Sequence, residues 1–197
     1  PRKATLGTGV RAEADQTDKA LVETQGTPAP MISVENLTKA YGHGMPAVRD
    51  ISLNIDRGEF LVIFGPSGVG KSTFLRCLNY LVRPSSGDVV IDGRRLGDLS
   101  TTELLDLRSS VGMIFQEFNL INRMSVLVNV LCGRLHDLNF FRALTYSFSH
   151  ADHEAAFHSL HRAGLKDQEL YWRRADTLSG GQRQRVAIAR ALVLEPA

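Results

Sequence analysis

The spacing of apolar and polar positions changes several times along this chain, and each change predicts an element. Ile32-Ser33-Val34-Glu35-Asn36-Leu37 alternates closely enough for a half-exposed strand, and Tyr41-Gly42-His43-Gly44 reads as the turn beyond it. A second strand is expected over 47–55, ended by Asp56-Arg57-Gly58 and antiparallel to the first. Phe60-Leu61-Val62-Ile63-Phe64 is an unbroken apolar run, the pattern of a strand buried on both faces. A helix follows over 72–78 with Phe74, Leu75 and Leu78 on its apolar side. Arg83-Pro84-Ser85-Ser86-Gly87 breaks the chain, Asp88-Val89-Val90-Ile91 predicts a short strand, and Asp92-Gly93 a tight turn leading back. Ser100 and Glu103 have the spacing of a capping box ahead of Leu104, Leu105 and Leu107. Val111-Gly112-Met113-Ile114-Phe115 predicts a further buried strand with Gln116 at its C-terminal end.

From about 119 to 177 helical signals replace strand signals, which predicts a helical subdomain. Ser125 caps a helix carrying Val126, Leu127, Val130 and Leu131, and another runs over 152–163 to a stop at Gly164. Between them Phe140, Phe141, Leu144, Tyr146 and Phe148 are expected to pack inward rather than to form a contact surface. Leu178-Ser179-Gly180-Gly181-Gln182 then opens a strong helix with an apolar stripe through Val186, Ile188 and Leu192, and Ser179 is its N-cap. Residues 1–30 hold no aromatic and finish on Thr27-Pro28-Ala29-Pro30, so a disordered tail or non-native extension is expected, with Met31 as the natural start.

Composition narrows the class. With 197 residues, 43% hydrophobic and 22% charged, this is a globular domain with enough chain for a substantial core. A net charge of +2, with the arginines scattered, gives no footprint for DNA or RNA. Cys77 and Cys132 lack metal or redox spacing and read as buried free thiols of a reducing, cytoplasmic compartment. No apolar run is long enough to cross a bilayer, so a membrane role would come through a partner.

The chemistry concentrates in Gly65-Pro66-Ser67-Gly68-Val69-Gly70-Lys71-Ser72, which fits G-x-x-x-x-G-K-[ST] between an apolar run and a helix. Glycines let backbone N–H groups close around phosphate oxygens, the helix N-terminus adds partial positive charge, Lys71 adds a full one, and Ser72 is placed to ligate Mg2+. Gln116, at the end of an expected strand, is a candidate Mg2+ or water contact. Tyr41 can stack on a base or merely pack at a strand end. His150, His153, His158 and His161 make i,i+3 pairs, but without cysteine partners or an H-E-x-x-H spacing a polar helix face is the better reading than a metal site. Ser179 with Gly180 and Gly181 makes a second helix N-terminus open to an anion. One domain does not easily aim both helix ends at one nucleotide, whereas two copies head to tail could.

The 178–182 motif with its helix, taken with the 65–72 loop, Gln116 and Tyr41, resembles the ATP-binding subunits of ABC transporters, over residues 31–197. That resemblance implies an α/β P-loop NTPase, an ABC-type ATPase with a RecA-like core, an antiparallel β subdomain and an α-helical subdomain. It implies that Tyr41 stacks adenine and that Gly65, Pro66, Ser67, Gly68, Val69, Gly70, Lys71, Ser72 and Thr73 hold ATP, with Mg2+ on Ser72 and Gln116. Ser179, Gly180, Gly181 and Gln182 would reach the γ-phosphate on a second copy, and the catalytic roles fall to Lys71, Gln116 and Ser179. Within the family the chain looks most like the ATP-binding subunits of phosphonate importers, on Gly133-Arg134-Leu135, Phe140 and Phe141, Arg162-Ala163-Gly164-Leu165 and the stretch from Tyr171 to Asp176. The implied partners are a second ATP-binding subunit, membrane permease subunits and, through them, a periplasmic or extracellular substrate-binding protein, which places the chain peripherally at the cytoplasmic face of the inner membrane. An alternative is an ABC-type interaction or translation-factor protein whose ATP-driven dimerisation is the output. A chromosome-maintenance ATPase would need long heptad coiled coils where this chain has a compact insert.

The family pattern continues past Leu194-Glu195-Pro196-Ala197 into a further buried strand carrying an aspartate, then a glutamate and later a histidine. The resemblance therefore implies an ATPase in full-length form and poor or absent turnover by residues 1–197 alone. It also implies unpaired strand edges and an exposed apolar face.

Overall fold

A bulge lets the first strand bury the side chains that strict alternation would have split between two faces. In the computed structural model, which describes residues 29–42 and 44–196, β1 (Ile32–Lys39) buries both Val34 and Leu37, three residues apart. Asn36 turns into the left-handed region (φ 47°), shifting the register between them and returning Leu37 to the inner face. Asn36 is held there by its amide, which donates to Asp50 Oδ1 at 2.9 Å, and by its N–H to Ser52 Oγ at 2.8 Å. β2 (Val48–Ile55) and β3 (Ser86–Ile91) flank β1, both antiparallel to it, and β4 (Arg94–Arg95) pairs with β3, giving the order β2-β1-β3-β4. The two expected strands over 32–37 and 47–55 thus form and pair as anticipated. The expected tail over 1–30 lies almost wholly outside the described residues, as does His43 in the predicted turn.

One face of this sheet is closed by two helices. α1 (Lys71–Leu78) contributes Phe74 and Cys77, and α2 (Thr101–Ser109) contributes Leu107, to a cluster with Val34, Leu37, Val89, Ile91 and Leu96. α2 starts where its capping box predicts: Ser100 Oγ accepts from Glu103 N–H, and Glu103 Oε2 accepts from Ser100 N–H at 2.8 Å. Burial pushes the Cys77 thiol pKa up, and Cys77 and Cys132 are both free.

A second cluster is helical. α3 (Val126–Leu131), α5 (His150–Arg162), α6 (Glu169–Trp172) and α7 (Gly180–Leu192) pack around Leu127, Val130, Leu160, Tyr171 and Val186, while no described side chain of α4 (Phe140–Leu144) belongs to that cluster. Small residues let backbones approach. A Cβ on Gly133 would stand 2.6 Å from Arg190 O and 2.7 Å from Val193 Cγ1, so a side chain there would push α7 away from the turn after α3. Gly164 ends α5 near the position expected from sequence. Among the described residues no helix is long and apolar enough to cross a membrane.

Two expectations are overturned. The runs 60–64 and 111–115 are not strands: neither is hydrogen-bonded into a sheet, and Phe60 and Phe64 are 89% and 90% exposed. Apolar composition marks a segment suited to burial, but a strand exists only beside a hydrogen-bonding neighbour, and no described residue supplies one. The described residues still form the expected α/β arrangement, one antiparallel sheet beside helices, with no parallel sheet among them. The aromatic stretch around 140–148 does not turn inward as a unit. Phe148 packs on the helical core, but Phe141, Leu144 and Tyr146 are exposed. His153 also departs from a simple polar face, its ring lying between Phe148 and Phe157 with Nδ1 2.9 Å from Ser149 O.

Candidate nucleotide-binding site

The glycine loop folds as a cradle because its glycines accept backbone angles that other residues resist. The decisive one is Gly70, the N-cap of α1, at φ 101°. A Cβ there would lie 1.9 Å from Ala47 O, so the loop rests directly against the entrance of β2 and only glycine fits. Phe74 N–H donates to Gly70 O at 2.8 Å, starting the helix, and buried Phe74 anchors α1 under the sheet. Lys71 folds back over the loop, its Nζ donating to Gly65 O at 2.8 Å and Pro66 O at 2.6 Å. No acidic residue occupies the first turn of α1, so the helix end and Lys71 present uncompensated positive charge.

This loop lines a cavity of about 420 Å³ with Ser67, Gly68, Gly70, Lys71, Ser72, Thr73, Ala47 and Gln116. The structure therefore brings Gln116 beside this loop, although Gln116 follows a segment not paired into a sheet rather than a strand. A neighbouring apolar cavity of about 270 Å³ lies between Val69, Phe64, Phe74 and the side chains of β2. Tyr41 lines neither cavity. It is 55% exposed beyond β1, with Lys39 Nζ 5.1 Å from its ring centroid. Ala47 is the wall residue that sequence reading missed, and its only signal was its place at the start of the second strand.

The second helix terminus is equally well built. Ser179 Oγ accepts from Gln182 N–H and Gln182 Oε1 accepts from Ser179 N–H at 3.0 Å, a complete capping box. Ser179, Gly180 and Gly181 remain exposed, and the first turn of α7 holds no acid. Ser179, Gly181 and Gln182 line a cavity of about 360 Å³ with Lys166, Asp167 and Arg185. That cavity shares no residue with the loop cavity, so within one chain Ser179, Gly180, Gly181 and Gln182 do not join Lys71 and Ser72.

A family model described as ABC transporter matches residues 48–197. The phosphonates import ATP-binding protein PhnC of Wolinella succinogenes is 51% identical over 166 residues, covering 84% of this chain and 60% of that protein. Its counterpart in Bdellovibrio bacteriovorus is 48% identical over 168 residues, covering 85% of this chain and 64% of the relative. The chain thus spans 60 to 64% of the length of these curated relatives. Among solved structures, the dimeric bacterial ABC transporter cassette MJ0796 is similar with a TM-score of 0.74 at 38% identity, over 84% of this chain and 71% of that one. The same cassette in a post-hydrolysis state bound to ADP and Pi has a TM-score of 0.74 at 37% identity, with the same shares covered. With a glycine-loop cradle, a capped second helix terminus and these matches, the chain belongs to the ABC transporter family of P-loop ATP-binding proteins.

Proposed function

We propose that this chain is the ATP-binding part of an importer subunit, using ATP hydrolysis to drive uptake of a small ligand, a phosphonate. The observation that carries the reading is the presence on one chain of two exposed anion-facing helix termini in separate cavities, at Lys71 and at Ser179. In this reading backbone N–H groups of residues 65–72 and the Lys71 ammonium hold the triphosphate, and Thr73 extends the same helix turn along it. Tyr41, exposed beyond β1, supplies a ring for the base.

Ser72 and Gln116 line one cavity and offer a hydroxyl and an amide oxygen, the hard donors that suit Mg2+. Bound there, Mg2+ would neutralise phosphate charge. Gln116 also places an amide where it can orient water, and Lys71 carries the positive charge that opposes repulsion between phosphates. Ser179, Gly180, Gly181 and Gln182 complete the site of a second copy, since their own chain's loop lies elsewhere. The names of the relatives, phosphonates import ATP-binding proteins, support a phosphonate as ligand; an importer subunit with no span of its own would act through membrane permease subunits at the cytoplasmic membrane face.

The test uses the full-length protein with its permease partners. Lys71→Ala is expected to abolish ATP-dependent uptake while the complex still assembles. Ser179→Arg is expected to leave nucleotide binding by the monomer intact and to block ATP-dependent dimerisation. If Ser179→Arg weakens monomer binding as much as Lys71→Ala does, the two-copy site is wrong.

A further inference from the structure

Gln116 reaches the phosphate cavity from a segment with few supports of its own. Residues 111–115 are not paired into a sheet, and just beyond Gln116 the backbone takes two consecutive left-handed residues, Phe118 (φ 61°) and Asn119 (φ 46°). Neither is a glycine, so the conformation persists only if its surroundings hold it. The holding group is on α7. Arg190 of α7 donates from Nη2 to Phe118 O at 2.6 Å and from Nη1 to Asn119 O at 2.8 Å. Its guanidinium is partly buried, and among the described residues no carboxylate pairs with it, so both prongs of the fork serve these two carbonyls.

The next residues are tied to the same body. Asp176 N–H donates to Asn122 O at 3.1 Å, and Arg183 of α7 reaches Asn122 Oδ1 at 3.4 Å. Residues 118–122 are therefore tied to α7, while Gln116, two residues upstream, lines the loop cavity together with Ser72. Ser179 caps the other end of that helix, 11 residues before Arg190, or about 16 Å along the axis at 1.5 Å per residue.

We propose that Arg190 is a positioning residue: its two-pronged grip on Phe118 and Asn119 sets where Gln116 stands in the phosphate cavity and joins that position to the helix that carries Ser179. The proposal rests on Gln116 acting at the nucleotide, as in the function proposed above. Lysine in place of Arg190 keeps the charge and much of the length but cannot span two consecutive carbonyls in one plane.

The experiment compares Arg190→Lys and Arg190→Met with wild type in the full-length protein and its complex. Hydrogen exchange at the amides of 116–120 is expected to speed up about tenfold in Arg190→Lys, while amides of 183–189 within α7 stay near wild type. In the same variant kcat for MgATP hydrolysis is expected to fall about tenfold with KM for ATP nearly unchanged. Unchanged exchange at 116–120 in Arg190→Lys overturns the proposal, and so does faster exchange spread equally through α7, which marks a packing role only. Normal turnover in a variant whose 116–120 segment has loosened overturns the link to Gln116. Should wild type itself hydrolyse no ATP, the proposed function fails, and the exchange comparison still decides whether Arg190 holds the segment. Arg190→Met adds loss of charge, and if it does not fold, Arg190→Lys carries the test.

Discussion

Replacing Asn129 by leucine keeps the number and branching of side-chain heavy atoms and deletes its polar atoms, which tests what its hydrogen bonds contribute. Asn129 is fully buried on α3, an otherwise apolar helix. Its Oδ1 accepts from Ile121 N–H at 2.7 Å, and its Nδ2 donates to Ser125 O at 2.9 Å, Ile121 O at 3.1 Å and Met124 O at 3.4 Å. The three carbonyls keep other partners without it: Asn129 N–H donates to Ser125 O, Met124 N–H to Ile121 O, and Ala175 N–H to Met124 O. The Ile121 N–H is the group left without a partner. An orphaned donor costs about 1–3 kcal/mol, so the expected loss is about 2 kcal/mol. For a chain of this size that lowers the thermal midpoint by about 4–8 °C, read by circular dichroism at fixed protein concentration. Asn129→Asp keeps the acceptor for Ile121 but turns a carboxylate toward carbonyl oxygens. It should therefore be less stable than Asn129→Leu at pH 7, and the gap should narrow in acid as the carboxylate gains a proton. An Asn129→Leu midpoint within about 1 °C of wild type would refute the reasoning, because the Ile121 amide would then need no partner.

Gly70→Ala places a methyl 1.9 Å from Ala47 O at a φ of 101°, so the loop must leave its seat against β2. Titration with a fluorescent ATP analogue should show affinity reduced about tenfold or more, and wild-type affinity would mean that the loop's seat is irrelevant to the nucleotide. Asp152 makes a pH prediction. The Ser149 hydroxyl holds its carboxyl below the usual range, against the opposing effect of burial and with help from Ser149 N–H and Arg134. A depressed folded-state value means that the unfolded chain takes up the proton first. The stability is thus present above the usual carboxylate range and is lost as pH falls through the folded value. Denaturant midpoints should fall less steeply below about pH 5 in Asp152→Asn than in wild type, and parallel slopes would rule out Asp152 as the source.

What the chain determined locally, its sequence displayed. Ser100, Ser125 and Ser179 cap helices because each bond closes within four residues, and the glycines and lysine of 65–71 form their turn from their own backbone preferences. The pairing of the 32–37 and 47–55 strands was also legible, since a short connection between alternating segments leaves few other arrangements. Other features depended on what lies alongside. The runs 60–64 and 111–115 have the composition of buried strands, yet a strand requires a hydrogen-bonding neighbour, and composition does not name one. The bulge at Asn36 arises from contacts with Asp50 and Ser52 across the sheet. Arg190 could have drawn notice as a charge four residues after buried Val186 on one helix face, but its two carbonyl partners lie 71 and 72 residues away. Local hydrogen bonds are encoded in neighbouring residues, whereas burial, pairing and the meeting of Gln116 with Ser72 are decided only when distant segments pack.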